Sequence, residues 1–177
     1  MRTLRLSLIS LLVVLAIVLA TARATGAATK AEAPVADAGI ERAIRHYRAT
    51  TLQLRGTMGV PSRFPALGRV SPSRARTIWR HRADAAGRVF RHGPAHRLAW
   101  MCIHRYEGSW TDGGSPYYGG LQMDIGFQET YGRVLFAAKG TADHWSPLEQ
   151  MWVAERAYRS GRGFYPWPNT ARYCGLI

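Results

Sequence analysis

The chain has 177 residues, room for one compact domain with at most a smaller appendage, and this excludes a string of full-size domains. It carries 24 Lys and Arg against 11 Asp and Glu, a formal net charge of +13. The charge is unevenly spread: residues 25–94 hold 13 basic and 4 acidic residues, a net of +9, whereas residues 95–177 hold 8 and 7, a net of +1.

Residues 1–24 read as a secretory signal. Arg2 and Arg5 form a positive start, Leu6 to Ala20 is an apolar run of 15 residues, and Ala22-Arg23-Ala24 is an A-x-A cleavage site. The alternative is an N-terminal membrane anchor, although the run is shorter than the roughly 18 residues of a spanning helix. Residues 25–36 are small and Ala-rich and read as a linker. Residues 37–94 read as a basic helical region. Ile40, Ile44, Tyr47, Thr51 and Leu54 recur at helical spacing and predict a helix over 38–55, with Arg42, Arg45 and Arg48 on its other face. Pro61, Pro65, Gly59 and Gly68 break residues 56–70 into a loop. Ser71-Pro72 starts a second helix, Ser as N-cap and Pro at the first helical position, which runs to about Phe90 before Gly93-Pro94. In an exported protein, this basic region suits an anionic wall polymer or a membrane surface, met through residues 42–91, better than nucleic acid. A solvated Arg-rich face is the plainer alternative.

Residues 95–177 form the second region. A helix is expected over 95–106, with Trp100, Ile103 and Glu107 on one face. Glu107 then lies beyond an apolar stripe, at the negative end of a helix. Both features favour a protonated carboxyl, the form that general-acid chemistry on a glycosidic oxygen requires. A solvent-exposed Glu at a frayed helix end is the competing reading. Trp110, Tyr117 and Tyr118 follow among several glycines; flat aromatics beside a groove suit the apolar faces of sugar rings and are equally common in a core. Leu121-Gln122-Met123-Asp124 alternates and predicts a short strand with Gln122 and Asp124 on one side. Ser146-Pro147 starts a further helix with Glu149 in its first turn, ended by Gly161 and Gly163. Tyr165-Pro-Trp-Pro168 reads as irregular chain packed over the core. Cys102 and Cys174 are the available pair in an oxidising compartment, and a bridge would tie the chain end to the Glu107 helix; two free buried thiols are the alternative. His92 and His96 are separated by Gly93-Pro94, and no Cys/His cluster has zinc spacing, so neither a metal nor another cofactor is expected. No G-x-S-x-G motif or phosphate loop occurs.

Taken in order, Glu107-Gly-Ser-Trp110, Tyr117-Tyr-Gly-Gly-Leu-Gln122, Gln150-Met-Trp-Val-Ala-Glu-Arg156, Trp167-Pro168 and a late Cys174 resemble the transglycosylase-like domain of actinobacterial resuscitation-promoting factors, within the lysozyme-like, soluble lytic transglycosylase superfamily. The resemblance covers residues 95–177. It implies a mainly α, lysozyme-like (α+β) fold with a short β-hairpin, a cleft for peptidoglycan glycan strands, and Glu107 as the catalytic acid. Tyr117, Tyr118, Gln122, Asp124 and Trp110 are the candidate substrate contacts, while Trp110, Gln150 and Trp152 match recurrent positions of the family and read first as packing. Glu155 reads as a structural ion-pair partner. The chain departs from those factors in having Tyr106 rather than Cys directly before the Glu, and only eleven residues between Glu107 and Gly119. Lytic transglycosylases have Ser right after the Glu; here Gly108 takes that place.

The expected activity is that of a secreted, monomeric enzyme cleaving the β-1,4 bond between N-acetylmuramic acid and N-acetylglucosamine. Glu107 serves as acid and then base, with Asp124 the candidate second carboxylate for a hydrolase. The alternatives are a wall-binding module of the same fold without turnover, and a basic protein that binds anionic polymers or membranes.

Overall fold

The structure, a computed structural model, describes residues 37–177. The signal or anchor over 1–24 and the linker over 25–36 lie outside the described residues. The described chain is mainly helical, with one two-stranded antiparallel sheet. Among the described residues no helix is long and apolar enough to cross a membrane. The chain divides into two units, Met1–Ala43 and Ile44–Ile177. The described part of the first, residues 37–43, is the opening of helix α1, which covers 37–57; all that follows concerns the second.

Helix α2, Pro72–His92, starts as its residues predict: Ser71 is the N-cap and its hydroxyl accepts from Arg74 N, while Pro72 supplies the fixed φ of a first helical turn. It ends at Gly93, whose φ of 92° suits a residue without Cβ. After Pro94 the chain turns into α3, Arg97–Glu107, which stops at Gly108, φ 146°. Glu107 is therefore the last residue of its helix.

Strands β1, Tyr117–Tyr118, and β2, Met123–Asp124, pair with Tyr117 opposite Asp124 and Tyr118 opposite Met123. The strand expected over 121–124 is thus half that length. Leu121 and Gln122 belong to the hairpin turn, and Gln122 has a positive φ of 47°, so Gln122 and Asp124 do not share one side of a strand. Asp124 instead ends β2 and caps α4, Ile125–Tyr131, by accepting from Phe127 N at 2.7 Å. Helix α5, Arg133–Lys139, and a 3-10 turn, Ala142–His144, lead to α6, Pro147–Ala157. Ser146 and Glu149 form a reciprocal capping box there, each side chain accepting from the other's backbone N–H. A π-turn, Tyr158–Arg162, follows, and α7, Pro168–Tyr173, closes the chain. Proline at Trp167-Pro168 begins a helix where the sequence suggests only irregular chain.

Helix α6 is the centre. It is buried nearly all round, which marks an internal helix. One side packs Met151, Val153, Ala154 and Ala157 into the main core with Trp100 and Ile103 of α3, Leu121 and Met123 of the hairpin, Phe127 of α4 and Trp167. The other side sends Trp152 into a second cluster with Met58 and Ala86, flanked by Leu54, Val60 and Phe90. The Trp152 indole donates to Phe90 O at 3.1 Å, and Arg156 donates to Gly56 O at 3.3 Å. Residues 44–94 and 95–177 thus share α6. Cys102 of α3 and Cys174, just past α7, form a disulfide with Cα atoms 6.1 Å apart.

Candidate active site

Glu107 stands half-buried at the end of α3 on a cleft of about 220 Å³ lined also by Tyr117, Gln122, Pro166, Trp167, Pro168 and Asn169. Each wall has its own support. Trp167, 5% exposed, is wedged edge-on between Trp100 and Phe127 and donates from its indole N–H to Leu121 O at 2.6 Å, joining the hairpin turn to the start of α7. Thr170, in the first turns of α7, donates from its hydroxyl to Glu107 Oε1 at 2.7 Å. The other carboxyl oxygen, Oε2, has no hydrogen bond among the described residues. The acid is thus gripped on one side and open on the other, as a proton donor to an incoming ligand must be.

Gln122 forms the opposite wall. Its amide Nε2 donates to Asp112 Oδ2 at 2.9 Å and Gly119 O at 3.0 Å, which leaves the amide oxygen for a ligand. A Cβ placed on Gly108 would lie 3.4 Å from Asp112 Oδ2 and 3.5 Å from Gln122 Nε2, so the chain just after Glu107 packs directly against this pair. Tyr117, 49% exposed, also lines the cleft.

The hairpin turn is held from beneath by a fully buried amide. Gln150 Oε1 accepts from Gly120 N at 2.8 Å, and Gln150 Nε2 lies 2.8 Å from both Trp110 O and Ala142 O and 3.1 Å from Trp145 O. His104 adds a bond from Nδ1 to Gly120 O at 3.1 Å and stacks on Trp110 with ring centres 3.8 Å apart. There is no room at Gly120 for a Cβ, which would meet His104 and Trp110 within 2.7 Å.

Of the candidate site residues, Glu107, Tyr117 and Gln122 come together on the cleft. Trp110 and Tyr118 do not line it; both pack against the main core. Asp124 is also off the lining and spends Oδ1 on the α4 cap. Glu155 is 2% exposed, accepts from the Trp100 indole at 2.9 Å and pairs with His96 at 3.1 Å, a position inside the fold and away from the cleft lining. Thr170, Asp112 and Asn169 had no part in the sequence reading. Thr170 was findable: it precedes Cys174 by four residues and so shares its helix face, and a Cys102–Cys174 bridge brings that face alongside the end of α3.

Comparison with protein-family models, with curated proteins and with solved structures finds no match for the chain.

Proposed function

We propose that the chain is an exported peptidoglycan-cleaving enzyme that acts on the β-1,4 bond between N-acetylmuramic acid and N-acetylglucosamine, with Glu107 as its acid and base. The observation that carries this reading is the Glu107 carboxyl, held by Thr170 through Oε1 and open at Oε2, on a cleft that also presents Tyr117 and Gln122. The ordered motifs of residues 107–174 that resemble resuscitation-promoting factors point the same way.

In the proposed step, protonated Glu107 gives its proton to the glycosidic oxygen, the C1–O bond breaks, and the muramic C1 takes up positive charge. The Glu107 carboxylate then removes the proton of the muramic 6-hydroxyl as that oxygen closes on C1, giving a 1,6-anhydro product. A retaining hydrolase needs a second carboxylate about 5–5.5 Å from the acid, and an inverting one about 6.5–9.5 Å, to serve as nucleophile or base. Neither Asp112 nor Asp124 lines the cleft. Asp112 spends Oδ1 on Gly114 N and Oδ2 on the Gln122 amide, and Asp124 caps α4. This favours the lytic transglycosylase reaction, which uses one carboxyl twice, over hydrolysis.

The test is mass spectrometry of muropeptides released from purified peptidoglycan by the mature protein and by Glu107→Gln. Anhydro-muropeptides from the first and none from the second are expected. Reducing-end products lost in the variant would mean a hydrolase. Binding without products from either protein would mean a wall-binding module.

A further inference from the structure

The arginines around α2 do two different things. Some pack. Arg55 donates to Pro61 O, Arg156 to Gly56 O and Arg159 to Glu155 O, while Arg48 and Arg82 lie over the Trp79 ring, 5.8 Å and 4.7 Å from its centre. Arg74, Arg76, Arg80, Arg88 and Arg91, all on α2, do not. Each is exposed, and none makes an ion pair among the described residues. Asp84, the only acidic residue between 44 and 94, is exposed on the same helix and pairs with none of them.

These five arginines lie on the solvent side of α2, turned away from Trp79 and Ala86, which the helix buries. At 3.6 residues per turn they cover about 25 Å of the helix axis, from Arg74 to Arg91, and about 160° of its circumference. The placement works against the helix itself. Arg74 stands in the first turn, where the helix dipole is positive and no acidic residue answers it. Arg76 and Arg80 are like charges at i, i+4, an arrangement that destabilises a helix. Where a sequence breaks such rules at solvent positions and gains no packing in return, a binding role is the expected reason.

We propose that this face of α2 binds a flexible linear phosphodiester polymer without bases, the chemistry of an anionic wall polymer. Charge complementarity sets an anionic partner, and the form of the face selects among anions. A small anion meets only one or two of the guanidinium groups. A bilayer is flat and meets one strip of a cylinder, whereas these arginines spread around the helix. An interfacial helix also buries an apolar face in lipid, and the apolar face of α2 is turned into the protein. Val89 is the one large apolar side chain of α2 that is exposed, and it lines a hollow with Thr51 and Arg55 of α1. No exposed Phe, Tyr or Trp lies on α2, so the bases of a single-stranded nucleic acid find nothing there to stack on. A flexible chain of phosphates can follow the arginines along and around the helix. Binding here does not depend on the Glu107 chemistry.

The experiment is isothermal titration of the full mature chain, over a series of salt concentrations, with deacylated poly(glycerol phosphate), glycerol 3-phosphate, phosphatidylglycerol vesicles and single-stranded DNA, matched in phosphate concentration. The first three carry the same phosphate chemistry and differ in how it is presented. The polymer is expected to bind at least roughly tenfold more tightly per phosphate than the others. Its log K should fall against log salt with a slope of about −3.5, from five contacts at the single-strand value of about 0.7 each. The triple change Arg76→Gln, Arg80→Gln, Arg88→Gln should weaken polymer binding about a hundredfold, at roughly fivefold per arginine, and bring the slope to about −1.4. Gln is nearly as good a helix former as Arg, so the melting temperature should hold or rise. Arg133→Gln, at an exposed position on α5, should leave binding unchanged, and Glu107→Gln should bind as wild type whatever its products. Equal binding by the triple variant and wild type overturns the proposal, as does an equal loss in Arg133→Gln. So does the absence of polymer binding at low salt, which would leave a solvated Arg-rich face. Tighter binding of the vesicles or of the DNA overturns it in favour of a membrane surface or a nucleic acid. Should the triple variant not fold, the single Arg80→Gln, with a loss of roughly fivefold and of about 0.7 in slope, decides.

Discussion

Thr170 and Glu107 lie 63 residues apart in the chain, and the Thr170 hydroxyl donates to Glu107 Oε1 at 2.7 Å. The bond fixes one oxygen of the acid and leaves the other without a hydrogen-bond partner among the described residues. Thr170→Val keeps the shape and removes the donor. Muropeptide release is expected to fall by up to about tenfold, the scale of a lost hydrogen bond of about 0.5–1.5 kcal/mol to the neutral acid. Thr170→Ser should restore most of it. Stability should change by less than about 1.5 kcal/mol, because water can reach a half-buried carboxyl. Equal rates for wild type and Thr170→Val, with matched melting, would remove Thr170 from the site.

The same hydroxyl depends on where α7 sits, and the Cys102–Cys174 bridge, with a sequence separation of 72, ties α7 to α3. Loop-closure entropy for such a span amounts to about 4 kcal/mol. The double replacement Cys102→Ser, Cys174→Ser is therefore expected to lower the melting temperature by roughly 10 °C. It should also depress activity more than Thr170→Val does at a temperature where both proteins are folded, because Trp167 and Asn169 move with α7. A calorimetric scan with and without reductant, beside the product assay, tests both parts.

The residues that announced themselves did so through local rules. Ser71-Pro72 and Ser146-Pro147 with Glu149 carry their caps within three residues, and the apolar spacing around Trp100 and Ile103 has one period and one interpretation. The stretch from Leu121 to Tyr131 was harder because its short elements compete. Alternation over four residues suggests a strand, yet the turn takes two of them and Asp124 serves as the cap of a seven-residue helix too short to show a period of its own. Tyr165, Pro166 and Trp167 are irregular as their sequence implies, but Pro168 begins a helix, because proline stops a helix from within and starts one from its first position. The Thr170–Glu107 contact is tertiary and becomes legible only once the disulfide is used as a distance restraint. Nothing in the pattern of residues 44–60 indicates that they share a cluster with Trp152.

Gln150 concentrates the support of the hairpin turn in one side chain. Gln150→Leu matches its size and leaves Gly120 N and the carbonyls of Trp110, Ala142 and Trp145 without their amide partner. Each buried group so orphaned costs about 1–3 kcal/mol, and the loss should exceed about 3 kcal/mol in total. Chemical denaturation read by fluorescence would measure it. A loss below about 1 kcal/mol would mean that the turn finds its support elsewhere.

Gly120 and Gly140 make a sharper comparison. A Cβ at Gly120 would strike His104 and Trp110, whereas at Gly140, φ 79°, it meets open space and only the backbone conformation is strained. Gly140→Ala should cost about 1 kcal/mol. Gly120→Ala should cost more, from overpacking of roughly 1–3 kcal/mol, and should also lower activity because the turn carries Gln122. Similar costs at the two positions would show that His104 and Trp110 shift without penalty.

Trp152 links the basic helices to α6, and its sign of effect should depend on which residues are present. In the full chain it is 7% exposed against Met58 and Ala86, with its indole bonded to Phe90 O. Trp152→Gln there should destabilise by about 3 kcal/mol or more, as for other large-to-small changes in a core. In a fragment of residues 95–177 those partners are gone, and the indole becomes an exposed apolar surface that favours aggregation. The same substitution should then raise the soluble yield of the fragment while it lowers the melting temperature of the full chain. If the fragment with Trp152 intact is as soluble and as stable as the full chain, residues 44–94 contribute nothing to the fold of the Glu107 region, and the second cluster is only an adhesion between two independent parts.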